Sequence, residues 1–114
     1  MEQKNTPAIK PGLPDPNKAT FKLLIYFKDE NRRIFYSYHT SYNAELKKVI
    51  IDDKTALNKL IRQIEFHFKG TYKTAVIYHK DTNTQLMKYV NDRLIFAAEI
   101  KYTWINGAVK ILLN

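Results

Sequence analysis

The stretch DDKTALNKLIRQIEFHFKG, residues 52–70, decides the fold. Within it Leu57, Leu60, Ile61, Ile64 and Phe68 recur at the spacing that lines one face of an α-helix. Asp52 or Asp53 stands where an N-cap is wanted, because a short carboxylate accepts the orphan N–H groups of the first turn. His67 and Lys69 fall in the last turn, where positive charge suits the helix dipole. Gly70 follows as the natural left-handed residue beyond the end. The pattern predicts a helix over about residues 53–69.

Working outward, the flanks read as strands. Phe21-Lys22-Leu23-Leu24-Ile25-Tyr26-Phe27 alternates loosely and is rich in β-formers, with Phe21, Leu23, Ile25 and Phe27 on one face. Asp29-Glu30-Asn31-Arg32 reads as a turn, and residues 34–40 as the returning strand of a hairpin. Between this hairpin and the helix, Ala44 to Lys48 fits a helical turn and Val49-Ile50-Ile51 a short extended run. After Gly70, residues 72–79 form a strand, residues 81–84 a turn and residues 85–90 the returning strand. Asn91-Asp92 is the next turn. Residues 93–104 fit a strand better than a short helix through Ala97-Ala98-Glu99, because they lead into Asn106-Gly107, a strong hairpin signal. Val109 to Leu113 closes the chain. The order is β-β-α-β-β-β-β, an α+β fold. Short turns between neighbours make an antiparallel sheet of five or six strands, with one amphipathic helix packed on one face.

All four prolines, Pro7, Pro11, Pro14 and Pro16, precede the first strand. Proline lacks a backbone donor and fixes φ, so residues 1–19 are expected to be a flexible arm and residues 20–114 a single domain. With 114 residues, 45% hydrophobic and 26% charged, the chain can bury an ordinary core without staples. The absence of cysteine excludes a disulfide framework, a thiolate metal site and a cysteine nucleophile together. No apolar run approaches the ~18 residues that span a bilayer, and no apolar stretch follows the N-terminal Met. The expectation is a soluble cytoplasmic or otherwise intracellular protein with no membrane partner.

Catalytic patterns are missing. His39, His67 and His79 make no metal-ligand spacing. Ser37 and His39 share a strand face, but no Gly-x-Ser-x-Gly elbow exists, and a triad also needs an orienting acid and an oxyanion hole. Gly12, Gly70 and Gly107 are too scattered for a phosphate-cradling loop. Neither enzyme activity nor cofactor nor metal is expected.

Charge is the remaining signal. Lys and Arg number 19 against 11 Asp and Glu, a net +8, which favours polyanion partners through counterion release. Many of the eight tyrosines sit in strands with basic neighbours. Lys22, Tyr26 and Lys28 share a face of the first strand, Tyr36 and Tyr38 a face of the second, and Arg32 and Arg33 flank the turn between them. Tyr72, Lys73 and Tyr78 belong to the strand after the helix, whose polar side carries Lys54, Lys59, Arg62 and Lys69. Tyrosines among lysines on an exposed sheet suit single-stranded nucleic acid, with bases stacked and phosphates neutralised. The same residues also suit a plain solvated surface, since tyrosine favours strands and lysine protects sheet edges. The expected function is therefore a small non-catalytic domain that binds nucleic acid. The candidate contacts are Lys22, Tyr26, Lys28, Arg32, Arg33, Tyr36, Tyr38, Lys59, Arg62 and Lys69.

The alternative is a structural or adaptor protein, such as a component of a viral particle or mobile element. It would assemble with itself or another protein by pairing at a strand edge, with Leu94-Ile95-Phe96 and the C-terminal Ile111-Leu112-Leu113 as the apolar candidates.

Overall fold

The computed structural model describes residues 19–37, 41–43, 48–50, 52–105 and 108–112. Residues 1–18 of the arm expected over 1–19, residues 44–47 of the turn expected over 44–48, Tyr38, His39 and the Asn106-Gly107 turn lie outside the described residues, whereas Ala19 is buried and Lys48 begins a short strand.

Five strands form the main sheet: β1 (Phe21–Phe27), β2 (Arg32–Tyr36), β5 (Tyr72–His79), β6 (Thr84–Val90) and β7 (Arg93–Ala97). They lie in the order β2-β1-β5-β6-β7, and every neighbouring pair is antiparallel. Two short pairs complete the fold: β3 (Ser41–Asn43) with β4 (Lys48–Ile50), and β8 (Lys101–Ile105) with β9 (Ala108–Leu112). The fold is α+β, with the expected antiparallel sheet and one helix between the first hairpin and the later strands.

That helix is α1 (Asp53–Arg62), which runs directly into a π-helical turn over Gln63–His67. Asp52 is the N-cap, its side chain accepting the Thr55 N–H at 3.0 Å. The wider turn is closed by the Phe68 N–H, which donates to the Gln63 carbonyl five residues back, at 2.8 Å. Phe68 then packs on Phe27 and Phe35, with ring centroids 5.6 and 5.3 Å away. Gly70 holds φ at +80°, the left-handed backbone that its lack of a Cβ permits.

Periodicity sets the core. Ala56, Leu57, Leu60 and Ile64 are buried against Phe21, Leu23, Ile25, Ala75, Ile77, Met87 and Tyr89. Residues paired across an antiparallel ladder point to one face. Phe35, Leu23, Ile77, Met87 and Ala97 therefore form one row under the helix, and Arg33, Ile25, Ala75, Tyr89 and Leu94 another. Deleting a buried leucine or isoleucine side chain here would cost about 2–5 kcal/mol.

Beyond the π-helical turn that ends the helix, the strands depart from the sequence reading in three places. Arg32 and Arg33 begin β2 rather than closing a turn, and the strand ends at Tyr36 because Ser37 is already engaged at the start of β1. Ser37 is buried, its N–H donating to the Phe21 carbonyl and its Oγ accepting the Phe21 N–H, both at 3.0 Å. Residues 93–104 are two strands in two sheets. The chain leaves the main sheet at Ala98, whose N–H donates to the Leu86 carbonyl at 2.8 Å, and Ala98 and Ile100 pack onto the core. Finally, the C-terminal strand β9 is not an edge of the main sheet. It pairs with β8 in a separate two-stranded sheet, and the edges of the main sheet are β2 and β7.

The β8–β9 hairpin is fixed to α1 by Asp53. This buried carboxylate accepts the Thr20 hydroxyl at 2.7 Å through Oδ1 and the Ile111 N–H at 2.7 Å through Oδ2. One side chain thus ties together the entry to β1, the first turn of the helix and the closing hairpin.

Candidate nucleic-acid interface

The helix occupies one face of the sheet, and the register places the remaining strand residues on the other. Tyr36, Lys22, Tyr78 and Gln85 form one row. Ile34, Leu24, Val76, Lys88 and Phe96 form the next, and Arg32, Tyr26, Thr74, Val90 and Arg93 the third. All are exposed or half-buried except Val76 in the middle, which is buried. Tyr26, Ile34 and Phe96 are 40%, 53% and 43% exposed, so the face offers rings and aliphatic surface to a ligand.

No carboxylate stands at any of these positions. The charged members are Lys22, Arg32, Lys88 and Arg93, all basic. Lys22 sits between Tyr36 and Tyr78 on the neighbouring strands, with its Nζ 5.6 Å from the centroid of the Tyr78 ring. That contact holds the ammonium over the ring by a cation–π attraction. Two strand spacings separate Tyr36 from Tyr78, about 10 Å, and Tyr26 lies about 13 Å along β1 from Lys22.

The candidate residues divide between surfaces. Lys22, Tyr26, Arg32 and Tyr36 come together on the open face. Arg33 stands opposite Ile25 on the helix side, with its guanidinium 5.0 Å from the Phe35 ring centroid. Lys28 lies past β1, beyond the register shift at Tyr26/Phe27, with its N–H donating to the Thr71 carbonyl at 3.0 Å. It does not extend the Lys22–Tyr26 row. Lys59 and Arg62 border a groove on the helix with Gln63, Phe66 and His67. Lys69 borders a smaller polar pocket with Glu65, Tyr72, Tyr89 and Asp92.

Other basic and aromatic residues of the chain have structural partners. Lys73 is ion-paired with Glu30 at 2.7 Å and Lys80 with Asp81 at 2.9 Å. The Lys80 contact holds the Asp81 carboxyl below its ordinary value through a hydrogen bond and the ammonium charge. Tyr72 is in the core rather than on a surface.

Sequence reasoning alone did not place Tyr78, Lys88, Arg93, Ile34 and Phe96 on this face. Alternation within each strand hints at it. The register shifts at Ile77/Tyr78 and Lys88/Tyr89 decide which residues end up there.

The buried tyrosines behind the sheet give the domain a marked alkaline limit. Burial, with the Asp92 charge second, pushes the Tyr72 hydroxyl up to about 12 from its ordinary 10. Burial and then the hydrogen bond to Glu65 push up Tyr89, whose hydroxyl donates to Glu65 Oε2 at 2.8 Å. Burial, reinforced by Asp53 and Asp52, also raises Tyr102. Below pH 10 folded and unfolded chains both hold the Tyr72 proton, so its contribution is fully present. Above pH 10 the unfolded chain releases that proton first, and the contribution is lost as the pH rises through about 12. Urea unfolding at pH 9 and pH 11 should show a fall about 1 kcal/mol larger in the wild type than in Tyr72→Phe.

Among the described residues no helix is long and apolar enough to cross a membrane. No protein-family model, curated protein or solved structure matches the chain.

Proposed function

We propose that the protein binds single-stranded nucleic acid across the open face of its main sheet. The observation that carries this reading is the in-register grouping of Tyr26, Tyr36 and Tyr78 with Lys22, Arg32, Lys88 and Arg93, without a carboxylate among them. Tyrosine faces stack on bases of any sequence, and the four cations neutralise the phosphates between them. A duplex does not fit this arrangement, because its bases present edges and not faces to a flat sheet. The side chains described on this surface supply ring faces and positive charge, which is what binding a strand requires. Such a domain acts where nucleic acid is, in the cytoplasm of a cell or within a particle that packages a genome.

The test is the salt dependence of binding to a labelled single-stranded oligonucleotide. Four phosphate contacts give a slope of log affinity against log salt of about −2.8. Fluorescence anisotropy between 50 and 200 mM salt (chosen as an about fourfold range) measures it. A slope near zero, or preference for duplex over single strand, would refute the reading.

A second reading, assembly through a strand edge, has one observation in its favour. Every residue of β7 is exposed, with Leu94, Ile95 and Phe96 at 48%, 57% and 43%. β7 is also bulged, since Leu94 and Phe96 face consecutive residues of β6 and Ile95 faces none. Bulges are a device that keeps edges from pairing. Light scattering of the free protein separates the two: a monomer leaves nucleic-acid binding, and a discrete salt-resistant oligomer supports assembly.

A further inference from the structure

On the far side of the molecule from the open sheet face, the outer surface of α1 continues into the π-helical turn. Lys59, Arg62, Gln63, Phe66 and His67 line a groove of about 640 Å³ there. The five residues share one surface of α1 and its π-helical turn, and none of them is a carboxylate. Phe66 is 72% exposed, although a large apolar ring in water gains nothing for the fold.

The second oddity is polar. Gln63 Oε1 is buried and has no hydrogen-bond partner among the described residues. A buried orphan acceptor costs about 1–3 kcal/mol and calls for a missing donor. It sits at the first residue of the π-helical turn, a distortion found often at functional sites. The groove therefore offers two basic side chains and an accessible ring, with a buried unpaired acceptor beside them, in a volume typical of small-ligand sites.

We propose that this groove is a separate site for a nucleotide. Lys59 and Arg62 hold the phosphate, Phe66 stacks on the base, and the Gln63 side chain turns outward so that its Oε1 accepts an N–H from the base's amino group. The nucleotide is either free or the phosphorylated end of a strand. The site is independent of the open sheet face, because its residues lie on another element and on the opposite side.

The probes are AMP, inorganic phosphate, and purine riboside monophosphate, which has the same phosphate and ring but lacks the amino group. Binding is followed by amide chemical shifts on the full chain. AMP should bind with a dissociation constant below about 1 mM, at least about tenfold more tightly than phosphate, and shift amides of residues 59–67. The purine analogue should bind about tenfold more weakly than AMP, because it lacks the amino N–H that Gln63 Oε1 accepts. Phe66→Ala and Arg62→Ala, both at exposed positions, should each weaken AMP about fivefold or more while leaving the remaining spectrum unchanged.

Comparing AMP with the 5′-phosphorylated dinucleotide pApU, in a Lys22→Glu and Lys88→Glu background, tells a free nucleotide from a strand end. Tighter AMP assigns the first and tighter pApU the second. Three results would overturn the proposal: no binding of either at about 5 mM, equal affinity for phosphate and AMP, or shifts centred on β1 and β5 instead of the groove.

Discussion

Replacing Tyr26, Tyr36 and Tyr78 together with alanine is expected to weaken binding of a single-stranded oligonucleotide by roughly a thousandfold. Each base stacked on an aromatic ring is worth about 1–3 kcal/mol, so three rings acting near the low end of that range give about 4 kcal/mol. The three side chains lie on the face away from the helix and belong to β1, β2 and β5, so one substitution set spans the middle of the surface. Tyr26 is 40% exposed and Tyr36 and Tyr78 are half-buried, so the fold loses far less than the interface does. Anisotropy at fixed salt reads the effect, and circular dichroism checks that the variant is folded. Phenylalanine at the same positions keeps the ring faces and should retain most of the affinity. If the alanine and phenylalanine variants bound alike, stacking would not be the source of affinity.

Asp53→Ala carries the largest effect on stability. The carboxylate accepts the Thr20 hydroxyl and the Ile111 N–H, and its removal leaves both donors unpaired at partly buried sites. Hydrogen bonds to a charged acceptor contribute about 1.5–3 kcal/mol each, so the expected loss is about 3–5 kcal/mol. For a small domain that is a large share of the total. Part of it should appear locally, since Ile111 lies in β9 and packs against the core. The Ile111 amide should lose its hydrogen-exchange protection before the strands of the main sheet do. Asp53→Asn keeps one acceptor and should lose about half as much. A cost below about 1 kcal/mol for Asp53→Ala would mean that the hairpin is held by something else.

The value of Asp53 is a case where local and long-range signals separate. Asp52 and Asp53 both suit a helix start, and a sequence gives no reason to prefer one as the cap. The structure uses Asp52 for the Thr55 N–H and turns Asp53 inward toward residues 33 positions before it and 58 after it. The helix itself was legible because its apolar period spans many residues. Its last turn was not. Just past the π-helical turn Phe68 packs on Phe27 and Phe35, which come from strands far away in sequence, and such contacts leave no local signal. The break after β7 has the same origin, in the bond from the Ala98 N–H to the Leu86 carbonyl and the packing of Ile100.

The surface chemistry was half legible. Period-two alternation puts Lys22 with Tyr26 from the sequence alone, and the structure keeps them together. It also takes Arg33 to the helix side and Tyr72 into the core, and it brings Lys88 and Arg93 to the open face. Those outcomes rest on strand order and on three register shifts, which pairing between distant segments decides. A count of basic residues could not separate one surface from the other.

The most direct measurement compares two charge-reversal pairs in the same binding assay. Lys22→Glu with Lys88→Glu alters the open face, whereas Lys54→Glu with Lys101→Glu makes the same change in net charge at exposed positions outside its rows. A single-stranded oligonucleotide at moderate salt should bind the first variant at least about a hundredfold more weakly and the second within about threefold of wild type, because contacts and not total charge set the affinity. Equal losses in the two variants would contradict the assignment of the open sheet face as the binding surface.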